Sequence, residues 1–382
     1  MNTSNNAVPY WRLSGFYLFY FASLGAMLPY WSAYLFSLGF DAKSIGELVA
    51  ILMVTKIISP NIWGWIADHT GKRMAIVRFG SLSAIVAFAG ILFVTSYWWI
   101  AAVMLVYSFF WNATLPQFEA TTFSHLGKKV NRYSSIRLWG SIGFILAVLL
   151  LGFSIEQWTV GIVPYSLIVL FIIIWLMSLI VPESAAGHLA LDHEPLRVIL
   201  RRPAVTGLLL SCFLMQASHG AYYVFFTPYM TNHGYTMASI GSLWALGVAS
   251  EVVVFMFMNR LLHKYNFRIL LLFSLFIAVL RWSLLSVYVD QLFVVIIIQL
   301  MHAATFGIYH AAAIHLINIY FPGRHQGKGQ ALYSSLSFGA GGALGSYVSG
   351  VSWDSMGSNV TFLIASGMAL SGFIVSFIFV KD

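Results

Sequence analysis

A series of long apolar stretches constrains the fold of this 382-residue chain more than any other feature. About 20 consecutive apolar residues are enough for a helix to cross the hydrocarbon core of a bilayer. With 60% hydrophobic and 8% charged residues, the chain holds twelve such stretches. They lie near residues 11–38, 44–67, 74–95, 97–124, 132–158, 160–181, 204–231, 237–260, 268–289, 291–318, 329–352 and 358–380. The predicted fold class is therefore an all-α polytopic membrane protein with twelve transmembrane helices. The alternating segments of about ten residues that a membrane β-barrel requires are absent.

An internal repeat divides the chain into two halves. Residues 44–73 return in altered form at residues 239–268, an offset of 195 positions. The same offset pairs Gly25 with Gly220, Gly39 with Gly234 and Lys56 with Glu251. The repeat predicts a six-helix half at 1–181, a linker at 182–203 and a second six-helix half at 204–382. The linker carries Glu183, Asp192, Glu194 and three arginines.

The net charge of +8 is distributed unevenly among the loops. Alternate loops carry the cations Lys72, Arg73 and Arg78; Lys128, Lys129 and Arg132; Arg197, Arg201 and Arg202; Arg260, Lys264 and Arg268; Arg324 and Lys328. The loops between them carry Asp41, Glu156, Asp290 and Asp354, with Lys43 as their cation. This is the positive-inside pattern, and it predicts a multi-pass protein of the inner (cytoplasmic) membrane with both termini in the cytoplasm. It also argues against a nucleic-acid partner.

The loop after the second stretch has a recognisable pattern. Its members are Gly64, Asp68, Gly71, Lys72 and Arg73, with His69 where a basic residue is more usual. The pattern resembles the signature between helices 2 and 3 of the major facilitator superfamily. The resemblance implies that these five residues form a cytoplasmic gate and that Asp68 docks near helix 11. In the alternative interpretation, Gly71 makes a turn and the two cations set the topology.

Five charged residues lie inside the predicted helices: Lys56, Glu119, Arg137, Glu251 and Arg281. Each costs about 2.5–3.5 kcal/mol at the centre of a bilayer, so we expect them to face a cavity or to pair. Glu119 and Arg137 lie symmetrically about one loop, and Glu251 and Arg281 about another, so each pair is expected at one depth. Static salt bridges between helices are the alternative.

Polar and aromatic residues within the helices supply further candidates, of which His302 is the strongest. His302, Thr305 and Tyr309 are expected on one face of helix 10, with His310 about 80° away. Histidine suits a proton relay because it titrates near neutral pH. His219 and Tyr223 belong to an aromatic stripe on helix 7 that could hold a planar ring, and Trp139 follows Arg137 by two residues. Ordinary core packing and lipid contact remain the alternatives for these residues.

Glu119, Arg137, Glu251, Arg281 and His302 lie on the helices where the oligosaccharide–proton symporters, including lactose permease, carry the same kinds of residue. The chain resembles that family in this respect. The resemblance is closer to the 3-phenylpropionate permease-like branch, through RLWGS, QASHGAYY, SEVVVF and MHAATFGIYHAAA at residues 137–141, 216–223, 250–255 and 301–313. It implies that Glu119 and Arg137 bind substrate and that Glu251, Arg281 and His302 couple protons. Thr305 stands where lactose permease has a glutamate that carries the proton. The proton must then sit on Glu251 or a histidine, or the coupling differs.

The function predicted is proton-coupled import of a small organic solute. The charges within the helices are three cations and two anions, so a bound anion would neutralise the remaining positive charge. Lys56 supplies the surplus, and an aromatic carboxylate is the favoured substrate. A sugar or nucleoside symporter is the alternative, and an efflux antiporter is less favoured because helix 5 lacks a Gly-Pro pair.

No motif predicts an enzyme, a cofactor or a metal site. The partners expected are the substrate, the proton and the bilayer, and the chain is expected to be a monomer.

Overall fold

A computed structural model describes residues 8–183 and 196–381. Within these ranges all regular elements are helical, and the prediction of twelve long helices is confirmed. They are α1 (Tyr10–Ser37), α2 (Ala42–Thr70), α3 (Arg73–Leu92), α4 (Tyr97–Leu126), α5 (Tyr133–Gln157), α6 (Val163–Ile180), α7 (Pro203–Asn232), α8 (Met237–Lys264), α9 (Phe267–Tyr288), α10 (Leu292–Tyr320), α11 (Gln326–Ser334 continuing through Gly342–Met356) and α12 (Ser358–Phe379). A five-residue helix, Leu196–Leu200, precedes α7. Residues 184–195 of the expected linker, including Asp192 and Glu194, lie outside the described residues.

Ten of these helices are long and apolar enough to cross a membrane. The other two are α1, which is rich in tyrosine and serine, and α11, which is rich in glycine and serine. Such composition suits helices that face protein on most sides, because small residues let backbones approach closely. The chain is a multi-pass membrane protein. The loops rich in arginine and lysine are called its basic side, and the loops at 38–41, 158–162, 233–236, 289–291 and 357 its acidic side.

Packing divides the chain into two compact units. Unit 1 holds the described parts of Met1–Met27, Ile58–Ala147 and Pro164–Leu189. Unit 2 holds those of Leu28–Ile57, Val148–Val163 and Ala190–Asp382. Unit 2 therefore contains the acidic-side ends of α1, α2 and α5 together with α7 to α12.

The repeated glycines have matching structural roles. Gly39 ends α1 with a φ of +89°, and Gly234 follows α7 with a φ of +80°, a backbone region in which glycine avoids the Cβ clash. A Cβ added at Gly25 would lie 2.7 Å from the backbone of α5 in unit 1. One added at Gly220 would lie 2.3 Å from the backbone of α11 in unit 2. The repeat in the sequence thus marks two equivalent turns and two equivalent helix crossings.

A third glycine pair closes the acidic side of unit 2. A Cβ at Gly46 of α2 would lie 2.6 Å from the carbonyl oxygen of Ser346 in α11. One at Gly241 of α8 would lie 2.5 Å from the carbonyl oxygen of Val148 in α5. Both contacts leave no room for a side chain. Helices from opposite halves of the sequence therefore touch backbone to backbone at this side.

Two carboxylates reinforce the same crossings. The backbone N–H of Ala238, in the first turn of α8, donates to Glu156 of α5 at 3.1 Å. The N–H of Lys43, in the first turn of α2, donates to Asp354 of α11 at 2.8 Å. Carboxylates stabilise helix N-termini by satisfying their free N–H groups and by matching the positive end of the helix dipole. At each of these two helix crossings, a carboxylate from one half of the sequence therefore caps a helix of the other half.

Candidate functional site

Arg281 is the most firmly held charge in unit 2. It is fully buried, with 0% of its surface exposed. Its Nε donates to the carbonyl oxygen of Ile298 at 3.0 Å, and its Nη1 donates to Thr305 at 2.9 Å. Its guanidinium carbon lies 4.5 Å from the ring centres of both Tyr222 and Trp282. A guanidinium is stabilised over aromatic faces, so Arg281 is fixed from several sides.

His302 connects Arg281 to Glu251. Nη1 of Arg281 also donates to Nδ1 of His302 at 3.1 Å. Because arginine can only donate, Nδ1 must accept, and in the neutral ring the proton then lies on Nε2. That nitrogen is 3.8 Å from the Glu251 carboxylate, which is 16% exposed. The direct Arg281–Glu251 contact expected from their equal depth is replaced by a chain in which histidine stands between them.

An irregular stretch of α10 places these groups. Residues Ala303–Ile308 form a π-helical turn, which takes up about one residue more than an α-turn and thereby rotates the remainder of the helix by about 100°. The expectation that His302, Thr305 and Tyr309 share a face holds for the first two, which both contact Arg281. It is wrong for Tyr309, whose hydroxyl donates to the carbonyl oxygen of Cys212 on α7 at 3.3 Å.

His219 has its ring covered by protein. It is 0% exposed, its Nδ1 hydrogen-bonds the carbonyl oxygen of Met215 at 2.8 Å, and Trp282 packs edge-on at 5.0 Å. Tyr223 lies 5.7 Å from His219 and is half-buried. Of the two stripe residues proposed to meet a substrate ring, Tyr223 alone retains exposed surface in this structure.

Glu119 and Arg137 lie in unit 1 and interact electrostatically, but their direct contacts are with different residues. The Tyr133 hydroxyl donates to Glu119 at 3.2 Å. The Arg137 guanidinium carbon lies 3.7 Å from the ring centre of Phe21. A Cβ added at Gly140 would lie 2.7 Å from Nη1 of Arg137 and 2.8 Å from the Phe21 ring. The glycine three residues after the arginine therefore leaves room for the guanidinium to lie over Phe21.

Trp139 makes its contacts with the start of α1. Its Nε1 donates to the Tyr10 hydroxyl at 3.1 Å, and its ring lies 5.6 Å from Trp11 at the start of α1. These contacts join α1 to α5 and account for the tryptophan without a ligand. A role for Trp139 in binding substrate stays a prediction.

Lys56 lies on α2 in unit 2, next to the contact between Ile57 and Gly339 of α11. Its side chain is half-buried. Within the described part of unit 2, no carboxylate pairs with its ammonium group. A cation that is largely withdrawn from water and has no counter-charge is a favourable site for an anion.

The predicted gate loop, in unit 1, contains an ion pair between two of its own residues. Arg73 donates to Asp68 at 3.1 Å, and Gly71 has a φ of +68°. The carboxylate of Glu183 accepts the N–H of Met74, the second residue of α3, at 3.1 Å. Gly64 has room beside it, since an added Cβ would meet only Gln117 at 3.8 Å. Lys72 precedes α3. The docking of Asp68 near α11 stays a prediction.

Several partners could not be found by sequence reasoning. Tyr133 and Phe21 contact Glu119 and Arg137, while Tyr222 and Trp282 enclose Arg281. The signal available for Phe21 was the glycine that follows Arg137. A second π-helical turn, Ser335–Gly341 in α11, had its signal in the glycine-rich run that begins there.

Comparison with known proteins agrees with this arrangement. The family model described as "MFS_1 like family" matches residues 10–364. The chain belongs to the major facilitator superfamily, as a member of this MFS_1-like family. It is a transporter of small solutes and not an enzyme. The resemblance to the superfamily inferred from the gate loop is thereby confirmed.

Relatives within the superfamily differ in what their names say they carry. The chain is 26% identical over 366 residues to a probable 3-phenylpropionic acid transporter of Escherichia coli (strain K12), covering 93% of this chain and 94% of the relative. It is 24% identical over 371 residues to a maltose permease of Geobacillus stearothermophilus, covering 96% and 93%. The crystal structure of the nucleoside transporter NupG shares the fold with a TM-score of 0.81 at 18% identity, covering 97% of this chain and 99% of that one.

Proposed function

We propose that this transporter is a proton-coupled symporter that imports a small organic acid, with an aromatic carboxylate of the phenylpropionate type as the favoured substrate. We propose a monomer in the inner (cytoplasmic) membrane, and the distribution of basic loops supports a cytoplasmic location of both termini. The observation that carries the proposal is the series of contacts from Arg281 through His302 to Glu251. It combines a fixed cation, a neutral histidine and a carboxylate that retains access to a proton.

In this mechanism Glu251 carries the proton. Arg281 is held by backbone and side-chain acceptors, so it stays in place through the cycle. It keeps the proton of neutral His302 on Nε2, facing Glu251. The ionised carboxylate is favoured by that N–H, and its protonation removes the attraction. Glu251 therefore couples its charge to a contact between α8 and α10, which permits proton binding to bias a helix movement.

The substrate carboxylate is assigned to Lys56. Its ammonium lacks a carboxylate partner in the described part of its unit. The helices also carry one more cation than anions, three against two. Arg137, lying on Phe21, is the second cation available to a ligand. The similarity to a probable 3-phenylpropionic acid transporter supports the aromatic part of the substrate.

A neutral sugar or nucleoside is the second candidate. The observation that favours it is Glu119, which already accepts a hydroxyl hydrogen bond from Tyr133 and could accept another from a ligand. Similarity to a maltose permease points the same way. Efflux by antiport is less favoured, although the chain is 25% identical over 274 residues to a multi-drug efflux pump homologue of Lactococcus lactis subsp. lactis (strain IL1403).

Uptake by purified protein in liposomes separates these candidates. With an imposed pH gradient, we expect accumulation of 3-phenylpropionate that a protonophore abolishes. Maltose and uridine are expected to be neither accumulated nor competitive. Lys56→Met is expected to weaken carboxylate binding at least tenfold. Competition by maltose or uridine but not by carboxylates would overturn the assignment of substrate class.

The gate loop has its own test. We propose that Asp68 helps to close the basic side while the acidic side opens. Asp68→Asn is then expected to slow transport and to reduce labelling of acidic-side positions by a membrane-impermeant thiol reagent. Unchanged rate and labelling would contradict the gate role.

A further inference from the structure

A second titratable group lies on α10 beyond the Arg281–His302–Glu251 chain. His310 follows His302 by eight residues, which is about 12 Å along a helix toward the basic side. Regular α-helical geometry would place the two histidines about 80° apart. The π-helical turn Ala303–Ile308 removes most of that angle, because it takes up about one extra residue. The two histidines therefore come to lie on nearly the same side of α10.

The rings themselves show this alignment. Phe306 lies between the histidines, with its centre 5.4 Å from His302 at an interplanar angle of 13° and 6.2 Å from His310 at 12°. Phe306 thus separates the two imidazoles and prevents a direct hydrogen bond between them. The two imidazoles are therefore separate groups for binding a proton. His302 is buried, whereas His310 keeps part of its surface exposed.

His310 also has a specific partner on the next helix. Its Nδ1 lies 3.0 Å from the hydroxyl of Tyr333 on α11. Tyr333 lies just before the second π-helical turn, and Phe338 within that turn packs 6.0 Å from His310 and 5.9 Å from Tyr333. A phenol can donate to a neutral imidazole and accept from a charged one. The Tyr333 contact therefore serves both protonation states of His310.

We propose that His310, paired with Tyr333, is a second proton-binding site, through which the proton leaves Glu251 for the basic side. This inference rests on the proposed proton-coupled import. The Glu251 carboxylic acid loses its proton to water, the His310 imidazole accepts it as imidazolium, and the imidazolium releases it to water on the basic side. The side chain of Glu251 packs beside this stretch, since a Cβ at Gly307 would lie 3.3 Å from its Cγ.

The groups that face His310 are consistent with a transient proton. They include Tyr333 on α11, next to which lie Tyr309 and Cys212, and, beyond Phe306, His302 followed by Glu251 on α8. Arg281 lies beyond His302, so it does not contact His310 directly. The site also answers a question left by the sequence. Thr305 cannot hold the proton, and His310 is the other titratable side chain that the π-helical turn brings into line.

Net transport and exchange in liposomes test the proposal with radiolabelled 3-phenylpropionate as the probe. His310→Gln is expected to slow net proton-driven uptake about tenfold and to leave substrate exchange unchanged, because exchange needs no proton release. The control is His315→Gln, on the same helix. His315 is exposed, stacks on Phe267 at 4.8 Å and is expected to be dispensable.

The dependence on internal pH distinguishes a proton site from a packing role. Histidine ordinarily titrates near pH 6.5, so at a constant difference between external and internal pH, wild-type net uptake is expected to slow as the internal pH falls from about 7.5 to about 5.5. His310→Gln is expected to flatten this dependence, and Tyr333→Phe to shift its midpoint with packing preserved. Loss of exchange in His310→Gln, or a net rate and pH dependence equal to wild type, would overturn the proposal. Absence of proton-driven uptake in the wild type would overturn the proposed function as well, and the wild-type arm alone reveals it.

Discussion

The two arginines within the helices occupy opposite kinds of environment. Arg281 in unit 2 is fully buried, donates to Ile298 and Thr305, and lies between two aromatic rings. Arg137 in unit 1 is half-buried and rests on Phe21. Arg281 donates from Nε and Nη1 and its Nη2 has no hydrogen-bond partner among the described residues, so most of its donors organise its neighbours. A guanidinium with more donors to spare can bind a ligand. Charge type alone therefore does not separate a coupling residue from a binding residue.

The largest expected effect comes from removing each arginine. Arg281→Met leaves buried acceptors unsatisfied on Ile298, His302 and Thr305, so we expect the free energy of unfolding to fall by about 3 kcal/mol. Arg137→Met loses mainly cation–π contacts with Phe21 and, at 5.7 Å, Tyr17, so we expect a fall of about 1 kcal/mol together with weaker substrate binding. Thermal unfolding in detergent and equilibrium binding measure both. Equal loss of stability in the two variants would break the comparison.

The role of His302 is the next test. A glutamine can accept from Arg281 with its amide oxygen and donate toward Glu251 with its amide nitrogen. His302→Gln is therefore expected to reduce pH-driven accumulation less than tenfold, and His302→Leu about a hundredfold. Accumulation assays at matched expression decide it. If glutamine is as damaging as leucine, His302 does more than hold a fixed neutral geometry.

Gly140 tests the binding role of Arg137 without removing its charge. The Cβ of Gly140→Ala would displace the guanidinium from Phe21, because it would lie 2.7 Å from Nη1. The guanidinium is the end of a side chain that can move, whereas Cγ of Phe21, at 3.1 Å, is the base of its ring. We therefore expect a small loss of thermal stability and about tenfold weaker substrate affinity. Gly367→Ala is the matched control, since an added Cβ there meets nothing within 4 Å. Unaltered affinity in Gly140→Ala would remove Arg137 from the binding site.

The smallest effect is expected at Thr305. Thr305→Val keeps the shape and removes the acceptor for Arg281, which is worth about 1 kcal/mol. Thr305→Ser keeps the acceptor and is expected to resemble the wild type. Thermal unfolding of the two variants checks the difference, and indistinguishable midpoints would show that Arg281 is held without this hydroxyl.

Some of this architecture could be predicted because it repeats. Apolar length gave the twelve helices, and the 195-residue offset picked out Gly39 and Gly234, which end equivalent helices. The choice of charged residues also came from the sequence, since a charge in an apolar helix is rare. Lys56, Glu119, Arg137, Glu251 and Arg281 were selected in this way, and their roles in transport stay predictions.

The rest depends on geometry that no local pattern records. The π-helical turn after His302 adds about one residue to a turn, and nothing in its composition distinguishes it from an α-helix. It therefore moved Tyr309 off the expected face. Equal depth correctly brought Arg281 and Glu251 to one cluster, but depth does not say that His302 stands between them. The ring of Phe21 under Arg137 comes from α1, which is remote in sequence.

Glu251→Gln tests the central claim most directly, because glutamine keeps the shape of the side chain and cannot be ionised. Exchange of radiolabelled 3-phenylpropionate and its accumulation under a pH gradient are measured in the same liposomes. The expected result is exchange within about twofold of wild type and no accumulation above equilibrium. Glu119→Gln, the matched acid in unit 1, is expected to weaken exchange instead. Normal pH-driven accumulation by Glu251→Gln would contradict the account.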